Sequence, residues 1–91
     1  MKTNSTTKYV INTLSLEEAI VAQAAKDYKS WKEKLLRDPK SIEASIGLRE
    51  VTTFFKSTWY KELTTVDPQW LMQTIDEEIE AEQKDKTKNK N

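Results

Sequence analysis

A mainly α chain, a small bundle of four to five short helices with disordered termini, is the fold class this sequence predicts. Three observations carry that expectation. The 91 residues hold one glycine and two prolines, too little turn material for a set of hairpins. Apolar residues recur three and four positions apart along most of the chain, the spacing of a helix face. A Ser-Leu-Glu-Glu run and two Asp-Pro pairs supply helix starts. With 36% apolar and 33% charged residues the core must be thin, and the length is near the lower limit for one self-sufficient domain. The expected organisation is a flexible arm over residues 1–14, a helical domain over 15–83 and a disordered charged tail over 84–91.

The arm is polar, with Tyr9, Val10, Ile11 and Leu14 as its apolar points. The first helix begins at a capping box: the Ser15 hydroxyl can accept from the amide of Glu18, whose carboxylate can reach back to the amide of Ser15. Leu14 is placed to staple against the first turn. Behind the box, LEEAIVAQAAKD is made of strong helix formers, with Leu16, Ala19, Ile20 and Gln23 at helical spacing and Ala24 close by. A break or bend is expected at Lys26-Asp27. The pattern restarts with Tyr28, Trp31, Leu35 and Leu36 on one face. Asp38-Pro39 stops that helix, since proline disfavours the helical conformation in the residue before it, and starts the next with Asp38 as cap. Ile42 and Ile46 then sit one turn apart, and Gly47 reads as a left-handed C-cap.

Residues 49–63 fit two readings. Val51, Phe54, Phe55, Thr58, Trp59 and Leu63 form a helical stripe, yet the segment is dense in strand formers, and Val51, Thr53, Phe55, Ser57 and Trp59 would also line a strand face. Helix is preferred because no turn chemistry divides the run. Asp67-Pro68 repeats the cap-plus-proline device, and Leu71, Ile75 and Ile79 form the stripe that follows, flanked by Trp70 and Met72. Acids precede lysines along this helix, which suits its dipole, and Glu80 and Lys84 lie one turn apart.

Composition removes several functions. Fifteen basic and fifteen acidic side chains cancel, so no net field draws the chain to nucleic acid or anionic lipid. Cysteine and histidine are both absent, which removes disulfides, thiol nucleophiles, imidazole bases and nearly all zinc, copper and iron sites. No cofactor is expected. No run approaches the roughly eighteen apolar residues of a membrane span. The start MKTNSTTKYVINTLS also lacks the apolar run of a secretory signal, so a cytoplasmic location is expected.

Three clusters need weighing. The acids from Asp76 to Glu82 lie on a helix without a liganding loop, which makes a solvated face a better reading than a cation site. Lys26, Lys29, Lys32, Lys34, Arg37 and Lys40 could meet phosphates, but Asp27, Glu33 and Asp38 dilute them. Trp31, Phe54, Phe55, Trp59 and Trp70 are expected mostly in the core, because a small chain needs its large side chains for burial; any left outside would anchor a partner. Nothing positions a nucleophile beside a base, and one glycine cannot build a phosphate cradle, so no enzyme is expected.

The stretch WKEKLLRDPKSIEASIG resembles the nitrile-hydratase-like leader peptides, the leader regions of precursors to ribosomally made and enzymatically modified peptides. Ala24 and Ala25, Asp27, Trp31, Leu35-Leu36, Asp38-Pro39-Lys40 and Gly47-Leu48 stand in the places of that family's pattern, and the likeness spans residues 16–48. Asp27 lies one residue further from the aromatic than in the family, and no proline-glycine turn follows Gly47. The resemblance implies a non-catalytic module docked by peptide-modifying enzymes; without cysteine it cannot carry the thiolate metal site of a nitrile hydratase. The residues that would meet the partner are Trp31, Leu35, Leu36, Asp38, Pro39, Ile42 and Gly47. The alternative is a free-standing helical module that binds another protein, or its own copies through Trp59 and Trp70.

Overall fold

The structure is a computed structural model that describes residues 15–90, with side chains described from 15 to 85. The capping box at its start is formed as the sequence predicts. Ser15 Oγ accepts from the Glu18 amide at 3.0 Å, and Glu18 Oε1 accepts from the Ser15 amide at 3.0 Å. Helix α1 runs from there without interruption over Leu16–Arg37. The break expected at Lys26-Asp27 does not occur. Neither residue prevents helix, and Asp27 accepts from the Gln23 side chain one turn earlier at 2.9 Å, a pairing that supports the helix. What looked like two patterns is one stripe of Ala24, Tyr28, Trp31 and Leu35.

Asp38 ends α1, its amide donating to the Lys34 carbonyl at 2.8 Å. It is not the cap of the following helix. Pro39 and Lys40 make a turn, and α2 (Ile42–Phe55) starts after Ser41, whose Oγ accepts from the Ala44 amide at 3.1 Å. A hydroxyl in the right place competes successfully with the Asp-Pro signal. Gly47 is likewise not a C-cap. It lies inside α2, has no positive φ, and is buried against α1.

Residues 49–63 are helical, in keeping with the preferred reading, but in two pieces. After Phe55 the chain turns at Lys56, and Ser57 caps α3 (Thr58–Leu63) by accepting from the Tyr60 amide at 3.1 Å. Asp67 then opens α4 (Pro68–Lys90): Oδ1 accepts from the Gln69 amide at 3.0 Å and its carbonyl from Leu71. The bounds of α4 are Pro68–Lys90.

Among the described residues the result is a mainly α bundle of four helices, with no strand. Helix α1 is the spine against which the other three pack, and α2 and α3 also touch each other. The core where they meet is Ala24 and Tyr28 from α1, Val51 and Phe55 from α2, Tyr60 from α3, and Ile75 and Ile79 from α4. Phe55 and Tyr60 are the two large side chains fully inside, at 1% exposure each. Their rings meet edge to face at 5.6 Å, with Tyr28 at 6.0 Å from Phe55 and Phe54 at 5.7 Å from Tyr60. Burial of a ring of that size contributes about 2–3 kcal/mol, and each edge-to-face pair roughly 1 kcal/mol more. Tyr60 keeps its hydroxyl satisfied by donating to the Val66 carbonyl at 3.0 Å, which ties the α3–α4 loop down.

The tryptophans depart from expectation. Trp31 is half-buried, while Trp59 and Trp70 are 54% and 59% exposed. Tyr28 and Tyr60, each able to reach a polar acceptor at the core's edge, take the central positions instead. The stripe of Leu71, Ile75 and Ile79 faces inward as expected.

Candidate functional site

The joint between α1 and α2 is fixed by short-range polar contacts. Asp38 accepts the Ser41 amide on its carbonyl at 3.0 Å and the Lys40 amide on Oδ1 at 3.3 Å. Lys34 of α1 forms an ion pair with Glu43 of α2 across the turn, and that contact holds the Glu43 carboxyl below the usual carboxylate range. Around this joint apolar side chains face solvent. Leu36 is 56% exposed and Ile42 74%, with Ile46 one turn further along α2 and also exposed. Asp38 and Pro39 are exposed between them.

Two grooves flank α1. One lies between α1 and α4 and encloses about 560 Å³, with Leu35, Leu36, Leu48 and Ile79 as its apolar wall. Its rim mixes Lys32 with Asp76, Glu77 and Glu80. The other lies between α1 and α2 and encloses about 360 Å³. From α1 it takes Ile20, Gln23, Ala24, Asp27 and Trp31; from α2 Gly47, Glu50, Val51 and Phe54; and from α3 Trp59. Both volumes are within the range of small-ligand and peptide-side-chain sites.

Trp31 sets the register of that second groove. A Cβ placed on Gly47 would stand well under 3.0 Å from three atoms of the Trp31 indole, so only glycine lets the ring lie there. Asp27, Ala24 and Ile20 of α1 line this groove together with Glu50, Val51 and Phe54 of α2.

Elsewhere three lysines of α1 are matched by acids of other helices. Lys29 meets Glu82 at 3.0 Å and Glu78 at 3.3 Å, and Lys32 meets Asp76 at 3.3 Å. Tyr28 donates to Asp76 Oδ1 at 2.9 Å; burial first, then that carboxylate, raise its phenol far above the ordinary value. Tyr60 is raised too, by burial and then by the charge of Asp67. The basic stripe of α1 therefore has three of its lysines engaged by acids of α2 and α4, which leaves less of it to meet phosphates. Among the described residues no group of acids is placed to hold a metal ion, and no helix is long and apolar enough to cross a membrane. The hydroxyls of Ser15, Ser41 and Ser57 cap helices, and those of Thr52 and Thr53 donate to the Arg49 carbonyl.

The seven residues singled out by sequence thus separate into three settings. Trp31 and Gly47 form one internal contact. Leu35 and Leu36 line the α1–α4 groove. Asp38, Pro39 and Ile42 stand on the surface of the joint. Sequence reasoning missed Ile46 as a surface residue and missed Glu50 and Asp27 as lining one groove. Their spacings of three and four from Gly47 and Trp31 were the available signal, but only once Gly47 is read as helix. No known protein family, no curated protein and no solved structure matches this chain.

Proposed function

We propose that this chain is a non-catalytic docking module, bound by another protein through the α1–α2 joint and the apolar groove beside it. The observation that carries the reading is the pair Leu36 and Ile42, two large aliphatic side chains mostly in solvent on either side of a joint held by caps and an ion pair. Exposed aliphatic residues on a rigid frame are what a partner groove buries at little ordering cost. Absence of histidine and cysteine, and the use of serine hydroxyls as helix caps, favour binding over chemistry.

The resemblance of WKEKLLRDPKSIEASIG to leader regions makes a peptide-modifying enzyme the partner to try first, and a cytoplasmic site of action agrees with a chain free of cysteine. The direct test is an affinity titration of the chain against cyclodehydratase, lanthionine-forming and radical-type maturation enzymes, with Leu36→Asp/Ile42→Asp as the paired variant. Saturable binding lost in the variant supports the reading; equal binding by both chains opposes it.

A second reading, self-association, is favoured by one separate observation: Trp59 and Trp70 are both more than half exposed. Sedimentation distinguishes the two. A stable homo-oligomer dispersed by Trp59→Ser or Trp70→Ser supports self-association, and a monomer across the accessible concentration range supports docking.

A further inference from the structure

We propose that the groove between α1 and α2 takes a lysine or arginine side chain carried by a partner polypeptide. This rests on the reading of the chain as a protein-binding module and gives that partner a chemistry. Charge is the first argument. Asp27 and Glu50 edge the groove from opposite helices, and among the described residues no cation lines it. Glu43, Asp76, Glu78 and Glu82 are each met by a lysine of α1. Here two carboxylates line one groove whose lining includes no cation, an arrangement that a cation relieves. Gln23 donates to Asp27 and holds that carboxylate in place.

The walls supply the second argument. Trp31, Phe54 and Trp59 line the same groove, and Phe54 and Trp59 meet edge to face at 5.4 Å. Faces of tryptophan attract ammonium and guanidinium groups, most strongly where a carboxylate is at hand to complete the pairing. Ile20, Ala24 and Val51 add apolar wall to the same groove. A hydrated inorganic cation gains nothing from such a wall. The aliphatic stem of a basic side chain, with apolar residues next to it in a polypeptide, covers it.

The test is a selection of random dodecapeptides displayed on phage against the full chain, followed by calorimetric titration of the best synthetic peptide. Its counterpart carries citrulline for arginine and acetyl-lysine for lysine. Selected peptides are expected to hold a basic residue beside aliphatic ones, and neutralising it should weaken binding about tenfold. Asp27→Asn/Glu50→Gln, two exposed positions whose change leaves the helical spectrum intact, should weaken it by a similar factor. The proposal is overturned by any of four results: no enrichment, enrichment of peptides without basic residues, equal affinity of the neutral peptide, or full displacement by tetramethylammonium ion alone, which would make a free small cation the occupant. Leu36→Asp/Ile42→Asp is titrated beside these. It keeps the peptide bound, so failure of the groove and failure of the joint are read separately.

Discussion

The indole of Trp31 lies where a side chain on Gly47 would have to be. That contact sets how closely α1 and α2 approach, and it decides between two opposing effects of one substitution. Alanine in place of a mid-helix glycine gains roughly 1 kcal/mol of helix propensity. Against it stands the displacement of a half-buried ring, a cost of about 1–3 kcal/mol. Gly47→Ala is therefore expected to be neutral to destabilising by up to about 2 kcal/mol in the native background, yet stabilising by roughly 1 kcal/mol when Trp31 is already alanine. Chemical denaturation of the four chains of this cycle measures it; additivity of the two changes would show that the ring does not rest on Gly47.

Tyr28 and Tyr60 give the fold a pH limit. Both phenols are held above their ordinary value near 10, Tyr28 by burial and then by Asp76, Tyr60 by burial and then by Asp67. The folded chain keeps protons that the unfolded chain loses above pH 10. Stability from these groups is thus fully present below about pH 10 and falls as pH rises through the folded values. Thermal melts between pH 9 and pH 12 should show a steeper fall for the native chain than for Tyr28→Phe. At neutral pH that variant should cost about 1–2 kcal/mol, the worth of a hydrogen bond to a carboxylate. Parallel alkaline slopes would contradict the linkage.

Helix α4 is joined to α1 by an apolar stripe and by lysine–acid pairs, and their magnitudes differ. Ile79 is buried, and Ile79→Ala should cost about 2–4 kcal/mol. Lys29 pairs with Glu78 and Glu82 at the surface, and Lys29→Met should leave the melting temperature nearly unchanged. High salt should accordingly move the melting temperature little. A large loss on adding salt would mean that the ion pairs, and not Ile75 and Ile79, hold α4 in place.

Leu35 and Leu36 are neighbours with different surroundings. Leu35 is half-buried in the α1–α4 groove, whereas Leu36 is mostly in solvent. Leu35→Asp places a charge against apolar wall and should lower stability by about 1–3 kcal/mol as well as weaken partner binding. Leu36→Asp should leave the melt within roughly 0.5 kcal/mol of native. Equal effects of the two on stability would show that this side of α1 is misassigned.

These contrasts also explain what could be read from sequence. The Ser15 capping box, the Asp67-Pro68 start and the Leu71, Ile75 and Ile79 stripe depend on residues within two turns of each other, and such patterns are visible in a string. Gly47 is not of that kind. Its role depends on Trp31, sixteen positions earlier, so that local rules read it as a cap where tertiary contact requires a bare backbone. The continuity of α1 through Lys26-Asp27 was hidden because two polar residues interrupt the apolar pattern on the solvent side without breaking the helix. The divide at Ser57 was legible in principle as a hydroxyl cap, although the aromatic density around it hid the signal. Tyr28 lay on the apolar face read from sequence, but the burial of Tyr60 in place of Trp59 and Trp70 had no local sign: Tyr60 can satisfy its hydroxyl at the Val66 carbonyl.

The docking reading stands or falls on the exposed pair at the α1–α2 joint. The measurement is capture of a partner from the native host by the immobilised chain and by Leu36→Asp/Ile42→Asp, with circular dichroism of both. The expected result is an unchanged helical spectrum together with loss of a partner that the native chain retains. Retention of the same partner at equal affinity by the doubly charged chain would contradict the account.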